Sequence, residues 1–303
     1  MTECSLSGES RDKRVNEFGS CPKIVVENCV FEHCFHTGEG AAIFVSFNGI
    51  IELNEVLFIH CATGSVAGAL SCRASAGSFR RSCFNDCCSL AGYSASSDQN
   101  VFHAAKIRGT SSTSEMKMTL SGAFHCPKDQ ISADETIGFR DYSRVLSKEN
   151  NISHNLLAAN EVFVIFDQCT LLSPVKYCSF TNCTGGWLLS VICPATWENC
   201  NFYRNKQTNR VYMINNEGRF TCKECVFDSN DYKNMFTRSG YDVSASFFCS
   251  NTFLNPSSNG CIRLNFPKGV IIENCNTRSK SFSVINSVSL SIICFIKMPV
   301  VAE

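Results

Sequence analysis

The sequence carries no excess of either charge: 27 Lys and Arg stand against 27 Asp and Glu, a formal net charge of zero. Nucleic-acid binders and proteins docked on anionic lipid show a basic surplus or a basic run, so both classes are disfavoured. Charge is scarce altogether, at 18% of residues against 44% hydrophobic. A chain of that composition buries a core and is not disordered. Met1 to Asn16 is polar and lacks the apolar run of a secretory leader. No stretch reaches the roughly 20 apolar residues of a membrane helix. The best candidate, Ser287 to Val301, is interrupted by Ser289, Ser291, Lys297 and Pro299. No segment of convincing length follows a helical period either.

What the chain does have is 24 Phe and 21 Cys, and the two recur together. Phe-x-x-Cys or Phe-x-x-Asn begins at Phe31, Phe58, Phe84, Phe180, Phe202 and Phe227, while Phe253 and Thr277 take the next two slots. The period, about 25 residues, suits a solenoid and is too short for a propeller blade or a helical pair.

Aligned on that Phe, the position five before it holds Val26, Leu53, Phe79, Val175, Trp197, Cys222, Phe248 and Ile272, all apolar. Two before it stand Cys29, Val56, Ser82, Cys178, Cys200, Cys225, Asn251 and Cys275. Four before it the column is mostly polar, and Lys176, Glu198 and Lys223 alternate in sign as an outward, self-neutralising ladder would. A straight strand cannot send both apolar columns inward, because side chains alternate with period two. A corner three or four residues before the Phe repairs the parity. Asn28, Asn199 and Asn274 suit it, since Asn tolerates left-handed backbone.

A further strand falls about 14 residues before each Phe, at 41–47, 69–72, 188–193, 211–214 and 262–266, with Gly at the breaks. These features predict an all-β parallel β-helix solenoid of about 10–12 coils, three short strands per coil of roughly 25 residues. Residues 1–20 read as a polar N-terminal segment or cap, and 21–298 as one β-helix domain. Within it, 21–88 are regular coils, 89–165 irregular coils with loop excursions, and 166–298 regular coils with a C-terminal strand. The interval between Phe84 and Phe180 has room for about four average coils.

Gly-Glu-Gly-Ala-Ala-Ile at residues 38–43, paired with Phe-x-x-Asn/Cys, resembles the polymorphic outer-membrane protein repeat. That family carries Gly-Gly-Ala-Ile and Phe-x-x-Asn motifs, is found in chlamydial surface adhesins and has relatives in trichomonad protists. The resemblance covers residues 21–88 and 166–285, with Cys often standing where the motif has Asn. It implies a right-handed, pectate-lyase-like β-helix, a cell-surface or secreted setting, and adhesion to a protein or glycan partner.

Catalysis finds little support in the residues. Glycoside hydrolysis wants two carboxylates flanking the scissile bond, and lyase chemistry an acidic calcium site beside a base. No Asn-Thr-Asp or Asp-Asp motif occurs, and the aligned neighbours of Asp228 and Asp231 include Tyr203 and Leu254. No catalytic residue is assigned. A degenerate polysaccharide-active enzyme is the alternative function, with an acidic cluster from 89–165 as its required sign, and a structural spacer is the third.

Cys222-x-x-Cys225 has finger-like spacing but no second pair, and the alignment already takes both as ladder members. No metal, cofactor or nucleic acid is expected, and the histidines look scattered and receive no role. The residues singled out are structural: the ladder of Phe31, Phe58, Phe84, Phe180, Phe202, Phe227 and Phe253, and that of Cys29, Cys178, Cys200, Cys225 and Cys275. Stacked thiols either pack reduced or, in an oxidising compartment, staple neighbouring coils. Phe282 to Met298 is apolar and strand-like, so it serves either as a cap or as an end-to-end docking coil.

Overall fold

A computed structural model describes residues 4–15, 21–90, 102–126, 135–141, 144–157, 162–169, 171–172, 174–207, 212–237 and 241–249. Every regular element among them is a strand, and the strands pair in parallel. No helix long and apolar enough to cross a membrane occurs among the described residues. The architecture is an all-β, solenoid-like stack, in which each rung repeats the path of the one before.

One rung shows the pattern. Ile50–Asn54 runs into a bend, then Leu57–Ile59, a second bend, and Ala62–Thr63, before the chain loops to Leu70–Ala74. Each strand pairs with its equivalents on adjacent rungs, so like positions stack: Val26 on Leu53, Leu53 on Phe79, and Phe31 on Phe58 on Phe84. The Phe slot lies in the core. Ring centroids are 5.4 Å apart for Phe31 and Phe58, 4.8 Å for Phe58 and Phe84, 5.3 Å for Phe180 and Phe202, and 4.6 Å for Phe202 and Phe227. Offset stacking at these separations adds about 0.5–1.5 kcal/mol per pair beyond area burial.

The corner predicted before the Phe is a single left-handed residue. Asn28, Glu55, Arg81, Leu120, Glu149, Tyr177, Asn199 and Glu224, each three before the Phe slot, all have φ between 51° and 57°. A second left-handed bend, which the alignment did not anticipate, falls two residues after the slot, at His33, His60, Asp86, His125, His154, Asn182, Arg204 and Ser229.

These bends explain the Cys, Asn and Ser that follow them. The backbone N–H just past a bend leaves the ladder, and a side chain of the next rung accepts its hydrogen bond. Cys126 N donates to Asn155 Oδ1 at 2.7 Å, Cys183 N to Asn205 Oδ1 at 3.1 Å, and Asn205 N to Asn230 Oδ1 at 3.0 Å. The first bend repeats this, with Ser82 N donating to Ser121 Oγ and Ser121 N to Asn150 Oδ1, both at 3.0 Å. The same side chains donate to a carbonyl of the preceding rung: Asn155 Nδ2 to Ala123 O at 3.1 Å, Cys126 Sγ to Phe84 O at 3.5 Å, Cys200 Sγ to Val175 O at 3.5 Å. Cys and Asn interchange here because each is small, inward and able to both donate and accept.

Residues 89–165 continue the same stack. Gly122–Phe124 pairs with Cys83–Asn85, and Asn151–Ser153 joins Gly122–Phe124 to Ser179–Thr181. Ala123 and Ile152 fill the Phe slot. The expected four coils between Phe84 and Phe180 are therefore three steps, through Ala123 and Ile152, with the extra residues spent on longer connections. The repeat was hidden because the slot requires an apolar side chain, not an aromatic one.

Cys4–Ser7 stacks on Lys23–Glu27 and Ser10–Arg11 on Val30–Glu32, so these N-terminal strands extend the ladder. Cys4 and Cys21 are joined by a disulfide. At the other end the register differs from the alignment. Phe248, assigned to the column five before the Phe, lies opposite Phe227, on the strand Tyr241–Cys249. The pairing of Phe220 with Tyr241 and of Phe227 with Phe248 makes this rung 21 residues long, shorter than the alignment assumed, so Phe248 takes the register position given to Phe253. Phe253, Cys275 and the stretch 282–298 lie outside the described residues.

Candidate functional site

The residues singled out from the repeat occupy the interior. Phe31, Phe58, Phe84, Phe180, Phe202 and Phe227 are buried in one column, and Cys29, Cys178, Cys200 and Cys225 in another, beside Cys222. All of these cysteines are free thiols. Burial pushes Cys72 and Cys183 up to about 12 and holds Cys87 well above the ordinary thiol range. A nucleophilic or metal-binding thiolate needs the opposite shift; against the effect of burial, hydrogen bonds from Cys200 and Cys222 do lower Cys225, but that sulfur is sealed in the core. Among the described residues, no three His, Cys, Asp or Glu side chains gather as a metal site would require.

The chemistry-bearing side chains collect instead on the outer face of one sheet. Eight strands, beginning with Ile43–Ser46, Leu70–Ala74, Phe102–Gly109 and Glu135–Arg140, lie side by side in chain order. Their inward positions, Ile43, Leu70, Ala105, Ile137 and Val164, belong to the core. Parity then sends the alternate residues outward. Ser71, Lys106 and Gly138 form one outward column, and Arg73, Arg108 and Arg140 the next.

Three cations stacked at strand spacing repel unless acids are set among them, and acids come from the flanking loops and bends and from the start of the Glu135–Arg140 strand. Glu39, in the Gly38–Gly40 loop, accepts a hydrogen bond from Ser71 Oγ at 2.7 Å and lies 3.9 Å from Lys106 Nζ and 3.7 Å from Arg108 Nη2. Asp141, at a left-handed bend, lies 3.9 Å from Arg108 Nε. Arg140 donates to Glu135 at 3.0 Å and lies 3.6 Å from Asp167. The cluster crosses several rungs and is partly dry: Lys106 is 6% exposed and Glu135 3%. Burial lowers the Lys106 pKa, opposed by the attraction of Glu39.

At the edge of this face Arg14 packs over the Phe44 ring, 4.7 Å from its centroid, and donates to His36 Nδ1 at 2.7 Å. Burial lowers the Arg14 pKa as well, again against Glu39. Gly40 shapes the loop that presents Glu39. Its φ is 65°, and a Cβ there would meet the Ile43 carbonyl and Ser71 N. The Gly-Glu-Gly motif thus delivers a carboxylate to the cationic columns.

One pair of the expected outward charge ladder is in place, with Lys176 Nζ 2.6 Å from Glu198 Oε2. That hydrogen bond and charge raise the Lys176 pKa. The histidines, by contrast, are not scattered: four of the six fall on the second bend. His33 and His60 share the offset of two from a Phe, so the signal was visible there. His125 and His154 share it only relative to Ala123 and Ile152. The Arg–carboxylate network left no comparable signal, because loops of unequal length separate its members.

No protein-family model, no curated protein and no solved structure matches this chain.

Proposed function

We propose that this chain is a right-handed parallel β-helix of about 10–12 coils that acts without catalysis, as an adhesion-type surface for a protein or glycan partner. The observation that carries the reading is the pairing of acids with bases on the outer face of the eight-stranded sheet. Glu39, Asp141 and Asp167 each lie against Lys106, Arg108 or Arg140. Hydrolysis by paired carboxyls needs two of them flanking a bond, whereas here cations stand between them. A fixed mosaic of charge on rigid strands suits recognition, since its groups are ordered before the partner arrives. Among the described residues the exposed large hydrophobics, Phe35, Ile50, Leu90, Ile192 and Tyr241, do not share a column, which favours polar contact.

A polysaccharide-active enzyme is the second reading, and Lys106 favours it: a buried lysine of lowered pKa beside a carboxylate can serve as a base. The test offers the full chain a panel of acidic and neutral polysaccharides and scores binding and new chain ends together. Binding without cleavage, weakened by Arg73→Glu on the exposed end of the arginine column, is expected. Cleavage that Lys106→Met abolishes overturns the reading in favour of the enzyme, and absence of binding to every polysaccharide offered overturns the glycan partner.

A further inference from the structure

The second bend of each rung carries a column used neither by the core nor by the charged face. On five consecutive rungs it reads His33, His60, Asp86, His125 and His154, followed by Asn182, Arg204 and Ser229, with φ between 48° and 56° throughout. The left-handed bend turns these side chains outward while the next residue, Cys or Asn, turns in. The four histidines are exposed and Asp86 is half-buried. At a rung spacing of about 4.8 Å, His33 to His154 forms a straight line of roughly 20 Å.

Neighbours along this line touch. The rings of His33 and His60 stack with centroids 5.0 Å apart, and His60 Nδ1 lies 2.9 Å from Asp86 Oδ2. The rings of His125 and His154 are 5.7 Å apart, and His154 Nε2 lies 3.2 Å from Asn182 Nδ2. Besides Asp86, the charged groups facing the column among the described residues are Glu32, 3.8 Å from His33 Nε2, and Arg204, held over the Tyr203 ring.

Imidazole is the side chain whose charge changes between pH 5 and 8. With neutral imidazoles, Glu32 and Asp86 give the His33–His154 segment a negative balance. With four imidazolium ions, the same segment is a cationic stripe whose like charges sit one or two rungs apart. A polyanion laid along the stripe relieves that repulsion, so proton uptake and polyanion binding promote each other.

We propose that this edge is a proton-gated binding site for an acidic polysaccharide. The line is one residue wide and straight, which suits a single extended chain and not the plane of charge of a membrane. Single-stranded nucleic acid is disfavoured because its binding grooves interleave cations with aromatic faces for base stacking. The column flanking this one reads Glu32, Ile59, Asn85, Phe124, Ser153, Thr181 and Tyr203; Phe124 is buried, and the partly exposed Tyr203 ring lies beyond the histidines, under Arg204. The proposal goes beyond the charged face: it uses another bend and other residues, and it stands or falls separately.

The test measures binding of the full chain to immobilised dextran sulfate at pH 7.5 and 5.5, with a chelator present so that no metal ion bridges the imidazoles. Affinity is expected to rise about tenfold on acidification. The variant H33N/H60N/H125N/H154N should lose that rise, and Asn tolerates the left-handed bend, as Asn182 does in this column. The variant H33R/H60R/H125R/H154R should bind at both pH values, with Arg204 as its precedent, and it decides the matter should the Asn variant fail to fold. An undiminished rise in the Asn variant, or no gain at pH 7.5 in the Arg variant, overturns the site. Equal capture of an oligonucleotide or of anionic vesicles at pH 5.5 overturns the polysaccharide assignment.

Discussion

Asn155 is the sharpest probe of how the bends are held together. It is 1% exposed, accepts the Cys126 N–H at 2.7 Å and donates to the Ala123 carbonyl at 3.1 Å. Asn155→Ala removes both partners inside the core. A buried N–H left unsatisfied costs about 1–3 kcal/mol, and the carbonyl, with a second lone pair, costs less. The lost side-chain volume adds a cavity cost. The expected loss is about 2–4 kcal/mol of unfolding free energy. Asn155→Cys should cost under about 1 kcal/mol, because a thiol at the equivalent position of the previous rung already does both tasks: Cys126 Sγ accepts from Cys87 N at 3.4 Å and donates to Phe84 O at 3.5 Å. Urea unfolding gives the two differences, and amide exchange at Cys126 locates them. The Ala variant should speed exchange there, and the Cys variant should not. A Cys variant as unstable as the Ala variant would refute the idea that Cys and Asn interchange through this pair of hydrogen bonds.

The Gly40 position gives a second expectation. Gly40, at φ 65°, donates to Ala67 O at 3.0 Å, and Ala67 repeats the left-handed geometry at φ 75°. Gly40→Ala drives a Cβ into the Ile43 carbonyl and should cost about 2–3 kcal/mol, whereas Ala67→Gly should raise stability by about 0.5 kcal/mol, relief of left-handed strain outweighing added chain entropy; thermal melts of both check the opposite signs. The buried thiols predict an alkaline limit. Cys72 and Cys183 hold their protons to about 12 in the folded chain, against about 8.5 for an unfolded thiol. Their contribution is complete below the unfolded value and falls, by about 1.4 kcal/mol per pH unit per thiol, as pH rises toward 12. Cys72→Ala should therefore flatten the dependence of urea stability on pH above 9 by that amount, and an unchanged slope would show that the thiol does not control it.

Much of this architecture is legible in the chain itself. The Phe, Cys and apolar columns follow from a repeat whose members must match because they stack, and strand parity alone demands a corner near Asn28 and Asn199, residues that suit left-handed backbone. The outward Lys176–Glu198 pairing was readable for the same reason. Such features depend on neighbours a fixed number of residues away, so the sequence by itself determined the ladder, its inward face and its first bend. Only the tertiary structure decided the rest. Ala123 and Ile152 join the Phe column because the slot tests burial, not aromaticity, and Phe248 pairs with Phe227 because the rung between them is only 21 residues long. Glu39, Lys106, Arg108 and Arg140 meet because loops of unequal length bring their strands side by side, and the histidines align only once the rungs between them are counted. Local spacing encodes the rung, whereas the meeting of side chains on different rungs depends on how much chain each loop consumes, which stacking alone reveals.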